Sequence, residues 1–469
     1  MFSFLALWAF GSDQSVGPTN IPKPGKYSVR GESGHAAWVV RGSGFTLDLT
    51  NRALVGSEGR DVKQDAFQGT GVLLDGCKDV TLKNANVSGF QHNIELRNCT
   101  NVRVVSCSLN KSLAIRMGRD GVAVEKFLNL RDLAAWRTYG AGIWLEACDA
   151  CRIQNCNASQ AQNGIVLVDS SRCTINDNQC SYNGGWGIAL WKSTHNKITW
   201  NRADFCNRPW AGGWGGDAAG LAAVNGSSLN EFVANSITHG GDGFFLTDRV
   251  NGGFDKATQK YKFDGTSDRN LIAYNDGSWS SNNAFEGTFA ASNIYFKNIA
   301  DDSNYGFWLG FSSHSFILQN EVMRNRTDGI AIGQGQLNTL FRNTIEENQS
   351  IGVHIWSDAG PVETDQPSLG NIVIENRITG SNLALSLERS IQPQILGNTI
   401  ERATMPQGIT LGFPSFAQTH LLSSWVLGKD AKAVAAILLK RPASWTFYRD
   451  TTSPKGGQAI KVGEYAPRP

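Results

Sequence analysis

The stretch GIWLEACDACRIQNCNASQAQNGIVL, residues 142–167, contains one pattern twice. Gly142-Ile-Trp-Leu returns as Gly164-Ile-Val-Leu, 22 residues later. The same four-residue pattern recurs as Gly187-Ile-Ala-Leu, Gly243-Phe-Phe-Leu, Gly306-Phe-Trp-Leu, Gly329-Ile-Ala-Ile, Gly352-Val-His-Ile and Gly408-Ile-Thr-Leu. In each copy the second and fourth positions are apolar, which is the period of a β-strand. A spacing of 22 or 23 residues is too short for a strand, a crossover helix and a second strand. It fits a coil of short strands joined by bends, stacked on copies of itself.

A second column supports that reading. Eleven residues past the fourth position stand Asn178, Asn201, Asn298, Asn320, Asn343 and Asn398, with Cys107 and Cys156 in the same column earlier and Asn235 and Asn275 fitting it after insertions. A carboxamide returning at one angular position predicts a ladder of stacked amides at a bend. A third column, three residues past the fourth position, holds Cys77, Cys99, Cys148, Ser170 and Ser193. The columns predict an all-β fold: a right-handed parallel β-helix of about twelve coils, with loop insertions and a C-terminal helical cap. The expected division is 1–26 as a lead-in or signal remnant, 27–70 as the start or cap of the helix, 71–415 as the β-helix and 416–469 as a C-terminal cap and tail. The amphipathic run at 421–440 supplies the capping helix, because end coils otherwise expose strand edges.

Bulk composition narrows the class. The 469 residues carry a net charge of +2, which gives no footprint for nucleic acid. No apolar run reaches the length of a membrane span. The apolar start MFSFLALWAF suits a signal remnant and an extracytoplasmic location, although no basic residue precedes it. The nine cysteines form an odd set confined to the first half of the chain. As small hydrophobes they suit the interior stacks. A disulfide between adjacent coils, such as Cys77–Cys99, is within reach, but the odd count argues against a full framework. Cys148 and Cys151 form a CxxC with no second pair to complete a zinc site.

On the Gly-Ile-x-Leu segments and the Asn column, the chain resembles the right-handed parallel β-helix repeat proteins of the pectate-lyase-like superfamily. The resemblance covers about three quarters of the sequence. The superfamily includes polysaccharide lyases, glycoside hydrolases, uronan C5-epimerases and periplasmic copper-related proteins of the NosD type. The polygalacturonase motifs are not present as a set, and the Asp-Pro-His motif of alginate epimerases and the Arg-x-Pro-x-x-Arg motif of pectate lyases are absent. The resemblance therefore implies a carbohydrate-active β-helix without naming its substrate.

Candidate residues follow from the strand period. Third- and fifth-position side chains face outward, onto the face where superfamily members bind sugars. From Trp144 onward Glu286 is the only acid among the third-position residues, between Phe245 and Trp308 in the neighbouring copies. Partial desolvation there predicts a raised pKa, as a general acid needs. Gly287 breaks the repeat where Leu or Ile is usual. Asp248 is the expected partner of Glu286, at a separation suited to inverting hydrolysis. Asp242 is the alternative, although Asn163, Asn283 and Asp328 share its register and give it a turn-forming role. Expected saccharide contacts are Phe245, Trp308, Trp191, Trp214, Asp217, Arg249, His239 and His354. The insertions at 203–219 and 250–268 are expected to wall the cleft.

The leading expectation is an extracytoplasmic enzyme that cleaves a polysaccharide or oligosaccharide by hydrolysis. A lyase or uronan C5-epimerase is the alternative, with Arg249, His239, Lys192 and His354 as candidate base or anion stabiliser. A non-catalytic carbohydrate-binding scaffold is the third. No cofactor or metal site is expected; calcium at Asp255, Asp264 and Asp268 stays open because no fixed-spacing motif supports it. Oligomeric state is not readable from the sequence.

Overall fold

In the computed structural model the described residues are 13–57, 62–115, 132–208, 215–248, 254–255, 260–261, 267–358 and 367–404. The expected capping helix at 421–440 and the last copy at Gly408 lie outside them. The chain divides into two compact units, Met1–Asn230 with Ile237–Phe245, and Glu231–Ser236 with Leu246–Pro469.

Each unit is a stack of parallel coils, and the chain is a right-handed parallel β-helix, as the repeat predicts. In the first unit the long strands include Thr70–Asp75, His92–Arg97, Ala141–Glu146, Asn163–Val168, Trp186–Trp191 and Ala219–Val224. The second unit carries Asn283–Thr288, Tyr305–Trp308, Ile330–Gly333, Ile351–Trp356 and Leu383–Glu388. Register follows the repeat: Ile143 pairs with Ile165, and Ile165 with Ile188. Shorter strands such as Arg152–Gln154 and Thr344–Glu346 form the other faces of the coils. The stack begins earlier than the sequence columns: Gln14–Ser15 pairs with Ala36–Val40, which pairs with Thr70–Asp75. The stretch 1–26 is therefore not all lead-in, and 27–70 contributes full coils.

The second and fourth residues of each copy form the core. Ile143, Leu145, Ile165, Leu167, Ile188 and Leu190 are all fully buried. Between strands the chain turns through left-handed residues, among them Asp177, Trp200, Tyr274, Lys297, Gln319 and Arg342. That conformation costs a non-glycine residue about 1–2 kcal/mol. The amide ladder, which starts one residue later, offsets this cost. Asn298 Oδ1 accepts from the backbone N and Nδ2 of Asn275 at 3.0 and 3.1 Å. Asn298 Nδ2 in turn donates to the Ile272 carbonyl at 2.9 Å. In the second unit the ladder runs through Asn235, Asn275, Asn298, Asn320, Asn343, Asn376 and Asn398. Two further ladders were not read from the sequence: Asn270–Asn293–Ser315–Asn338–Asn371, and Ser280–Ser303–Asn325–Asn348.

The cysteines occupy the same columns in the first unit. Cys156 N donates to Asn178 Oδ1 at 2.9 Å, and Cys173 N to Asn196 Oδ1 at 2.8 Å. Cys148 N bonds Ser170 Oγ, and the column continues through Ser193 to Ser227. All nine cysteines are buried thiols.

The ladder is open to a direct test. Asn298→Ala leaves the Asn275 amide and the Ile272 carbonyl without their partners in a dry interior. The expected loss is on the order of 3 kcal/mol in urea unfolding, and Asn298→Asp loses at least as much, because its second carboxylate oxygen faces the Ile272 carbonyl and Asn320 Oδ1 where Nδ2 donated.

Candidate functional site

The outward face of the long sheet differs between the two units. In the first unit Trp144, Val166, Val168, Ala189, Trp191, Ala222, Val224 and Phe245 form a buried outer cluster with Trp136, Tyr139 and Trp186. The short helix Leu133–Trp136 lies in the inserted segment, and its cap residue Asp132 accepts from Ala134 N and Ala135 N. Trp136 stacks on Trp186 with ring centroids 4.8 Å apart. Trp191 and Phe245 are 3% and 4% exposed. Both face outward, as expected, but they are covered, so packing takes the role assigned to saccharide contact.

Two other expected contacts, His239 and Asp217, and the alternative acid Asp242 have local partners. His239 stacks on Phe205 at 4.5 Å, and Phe205 on Tyr182 at 5.0 Å. All three are left-handed bend residues of neighbouring coils, so equivalent backbone positions bring the rings into register. Burial lowers the His239 pKa. Asp242 is fully buried, and its backbone N donates to the Ala218 carbonyl at 2.7 Å. The carboxylates of Asp217 and Asp242 act electrostatically on Arg208, a buried guanidinium whose pKa burial lowers. Asp217 also accepts, through its carbonyl, from Trp186 Nε1 at 2.9 Å. Trp214 and Arg249 lie outside the described residues, as does Asp264. Asp268 accepts from Ala291 N at 2.7 Å, a bend-holding bond.

In the second unit the outward face is partly open. Glu286 is half-buried; Asn283 Nδ2 donates to its Oε2 at 2.7 Å and Thr288 Oγ1 to its Oε1 at 2.9 Å. Asp248 is 3% exposed and accepts from Ser267 Oγ at 3.0 Å. Its backbone N reaches the Thr288 carbonyl at 3.4 Å, which places it one coil back and about two residues along from Glu286. That offset corresponds to a backbone separation on the order of 8 Å.

Gly287 has a packing explanation. A Cβ there would meet the Tyr295 hydroxyl at 2.3 Å. Tyr295 points inward from its own strand and fills the space that Leu or Ile occupies elsewhere. The break in the repeat beside Glu286 is thus an exchange of core volume between strands rather than a mark of chemistry.

The outward neighbours of Glu286 continue as Trp308, Ala331, His354 and Ser386 in successive coils. Trp356 lies over Gly333, where a Cβ would approach the indole to 2.8 Å. Its ring is 4.4 Å from that of His354 and 5.5 Å from that of Trp308. His354 Nδ1 bonds Asp328 Oδ2 at 3.0 Å, and its Nε2 lies 3.6 Å from Glu388 Oε1. The other Asp328 oxygen accepts from Ile351 N at 3.1 Å. Asn163 makes the equivalent bond to Trp186 N at 2.9 Å. The register that Asp242 shares with Asn163, Asn283 and Asp328 is therefore structural at its base. At Asn283 and Asp328 it also orients Glu286 and His354, a role the sequence reading missed.

It also missed a pocket of about 420 Å³ in the first unit, lined by His92, Glu95, Arg97, Arg137, Trp144 and Glu146 among others. Glu95 pairs directly with Trp144, so Glu286 is not alone among acids of its column. Asn93 stands where Gly is usual and hid this copy; the 22-residue step from Gly71 to Asn93 is the signal that would have found it. Thr70 Oγ1 donates to Glu95 Oε2 at 2.7 Å, and Arg97 Nε bonds the other oxygen. His92 Nδ1 lies 3.5 Å from Glu95 Oε2, and its ring stacks on Trp144 at 4.9 Å. Burial raises the Glu95 pKa, but His92 and Arg97 outweigh it and hold the carboxyl down at about 2.

The coils, bends and ladders define a right-handed parallel β-helix protein. The family described as Periplasmic copper-binding protein (NosD) matches residues 41–276 and 266–412, and the chain belongs to that family. Its periplasmic description agrees with the expected extracytoplasmic location. Among the described residues no helix is long and apolar enough to cross a membrane. No curated protein matches the sequence. Solved structures similar to the chain include the periplasmic alginate epimerase AlgG, at 13% identity over 84% of both chains with a TM-score of 0.45. The Azotobacter vinelandii mannuronan C-5 epimerase AlgE6 A-module matches at 13% identity over 84% of this chain and 90% of its own, with a TM-score of 0.36. DFA-IIIase from Arthrobacter chlorophenolicus A6, without its lid, matches at 11% identity over 69% and 70%, with a TM-score of 0.37.

Two measurements test these assignments. Gly287→Ala should cost about 1–3 kcal/mol by overpacking, and adding Tyr295→Phe should recover most of it. Glu95 has a folded-state pKa below its ordinary 4.5, so it contributes stability above that pH and loses it as pH falls toward 2. Glu95→Gln should therefore cost on the order of 3 kcal/mol at pH 7, with the deficit shrinking between pH 4.5 and 2 in denaturant titrations.

Proposed function

We propose that the protein is a carbohydrate-active enzyme that binds a saccharide chain along the outward face of the second unit's long sheet and hydrolyses it. One observation carries this reading. Glu286, Trp308, His354 and Trp356 are partly exposed on that face, while Ala331 and Gly333 keep the surface between them low. Aromatic rings offer apolar faces to sugar rings, and the carboxylate and imidazole supply hydrogen bonds and proton transfer. In this reading Glu286 transfers the proton to or from the glycosidic oxygen. Asp248 activates water, with the backbone offset suiting carboxyls roughly 6.5–9.5 Å apart. Trp308 and His354 contact the saccharide.

A second reading has its own support. Asp328 orients the His354 imidazole through Nδ1, with Glu388 Oε1 3.6 Å from Nε2, an imidazole held between two carboxylates as an oriented acid–base group. That suits proton abstraction beside a uronate carboxylate, as in a lyase or C5-epimerase. A non-catalytic saccharide-binding scaffold is the third reading. The family's description raises copper, and the described residues do not fit it. No group of three or more His, Cys, Asp or Glu among them converges on one point, and the nine thiols are buried in the coil interior. No step is assigned to a metal.

The test is a panel of neutral and uronate polysaccharides, scored for new reducing ends and for the ultraviolet absorbance of unsaturated products. Hydrolysis predicts reducing ends alone, lost by at least about 100-fold in Glu286→Gln. Absorbance lost in His354→Gln instead selects the lyase reading. Binding without either product and without C5 epimerisation of the uronate chains, read by proton NMR and unchanged by both variants, rejects catalysis on this face.

A further inference from the structure

The pocket of the first unit has no part in the reaction proposed above, yet it gathers three acids, two arginines and two histidines. Its three acids are already engaged. Glu95 is 2% exposed and is held by Thr70, His92 and Arg97. Glu146 is held by Arg137 and by Trp144 Nε1 at 3.2 Å. Asp13 is bonded by His35 at 2.7 Å and by Ala36 N at 3.0 Å. These contacts engage the acids, and at the rim Arg97 and Arg137 stand with the exposed His35–Asp13 pair. The side chains of Arg97 and Arg137 are 50% and 53% exposed.

Each guanidinium is turned so that only part of its donor set is used. Arg97 meets Glu95 through Nε, and its terminal nitrogens make no hydrogen bond to the described residues. Arg137 meets Glu146 through Nε and one terminal nitrogen, leaving the other. Both stems are fixed. Arg97 ends the strand His92–Arg97, and Arg137 caps the helix Leu133–Trp136, with its own carbonyl bonded by Gln91 Nε2 at 2.8 Å. Two oriented forks with spare N–H groups are a receptor for a planar or tetrahedral oxyanion. The acids beneath them keep the forks in place, so little side-chain freedom is lost on binding.

Glu95 and His92 are not placed as a proton-transfer pair. Glu95 is held ionised far below neutral pH, which makes it a poor base. His92 has Nε2 on the Tyr139 carbonyl at 3.1 Å and Nδ1 on Glu95, so neither ring nitrogen is directed at a ligand. What is left is recognition. The volume of about 420 Å³ lies within the roughly 300–1,000 Å³ of ligand pockets. Beyond the cations the wall offers Gln91, Asn98 and Thr70, and the backbone of Gly34 and Gly69, groups that match sugar hydroxyls.

We propose that this pocket is a binding site for an anionic saccharide unit, with Arg97 and Arg137 together holding a carboxylate or sulfate carried on the sugar ring. The acid–base pairs below are positioning groups: Glu95 aims Arg97, and Glu146 aims Arg137. The site selects the charge of the substrate chain and takes no part in breaking it.

The experiment is isothermal titration calorimetry on the full chain with three probes of matched size: a uronate trisaccharide, an O-sulfated neutral trisaccharide and the unsubstituted neutral trisaccharide. Either anionic probe should bind at least about tenfold more tightly than the neutral one. Arg97→Gln and Arg137→Gln should each remove about tenfold of that affinity. Arg172→Gln, which alters a surface pair with Asp149 away from the pocket, should leave it unchanged. Thermal melts of each variant separate lost binding from lost folding, and Arg97→Lys, which keeps the charge but not the fork, should be intermediate. Equal affinity for all three probes overturns the proposal. So does anion binding that survives both arginine substitutions, or that falls equally with Arg172→Gln. Failure here leaves turnover in the Glu286 and His354 variants untouched, so the two proposals fall separately.

Discussion

The structure depends on one constraint: every coil must turn corners without leaving buried backbone groups unpaired. A parallel coil of about 22 residues has three bends, and each bend needs a left-handed residue that most side chains disfavour. A buried amide at the next position makes this tolerable. It takes a backbone N–H of the preceding coil and gives its own N–H to a carbonyl of that coil and to the amide of the next, as Asn298 does with Asn275, Ile272 and Asn320. Because each amide needs the one in the next coil, the ladders join the coils cooperatively within each unit. In the first unit cysteine, serine and asparagine share the columns, since the position requires a small side chain first and a hydrogen-bonding one second.

The same regularity places chemistry. Alternation along a strand sends every third- and fifth-position residue outward, so a column of the sequence becomes a row on the surface. Rows of valine, alanine and tryptophan in the first unit are covered by the inserted helix and its neighbours. Rows with small residues beside large ones in the second unit stay open, because Gly333 lets Trp356 lie flat. Asp328 spends one carboxylate oxygen on the fold and the other on orienting His354, and Asn283 in the same register orients Glu286.

Much of this was readable in advance. The Gly-Ile-x-Leu copies gave the coil length, the core positions and the outward columns, and His354, Trp308 and Glu286 were placed on the outward face by period alone. The pocket around Glu95 was not readable, because Asn93 replaces the glycine on which the copies were aligned. Nor was the burial of Trp191 and Phe245. Their outward direction follows from parity, but whether anything covers that face depends on where Trp136 docks, about 50 residues away in sequence from Trp186. Gly287 looked like a functional irregularity until Tyr295, from a different strand of the same coil, was seen to fill its place.

The sequence by itself determined the repeat, and through it the parallel coils, the amide column and the faces of the strands. These are periodic properties, and a period is visible in one dimension. Only the tertiary structure decided which outward residues meet solvent, which acids find cations and which irregularities are packing. Those outcomes depend on contacts with segments outside the repeat, such as Arg137 from the inserted helix meeting Glu146, or Trp136 stacking on Trp186.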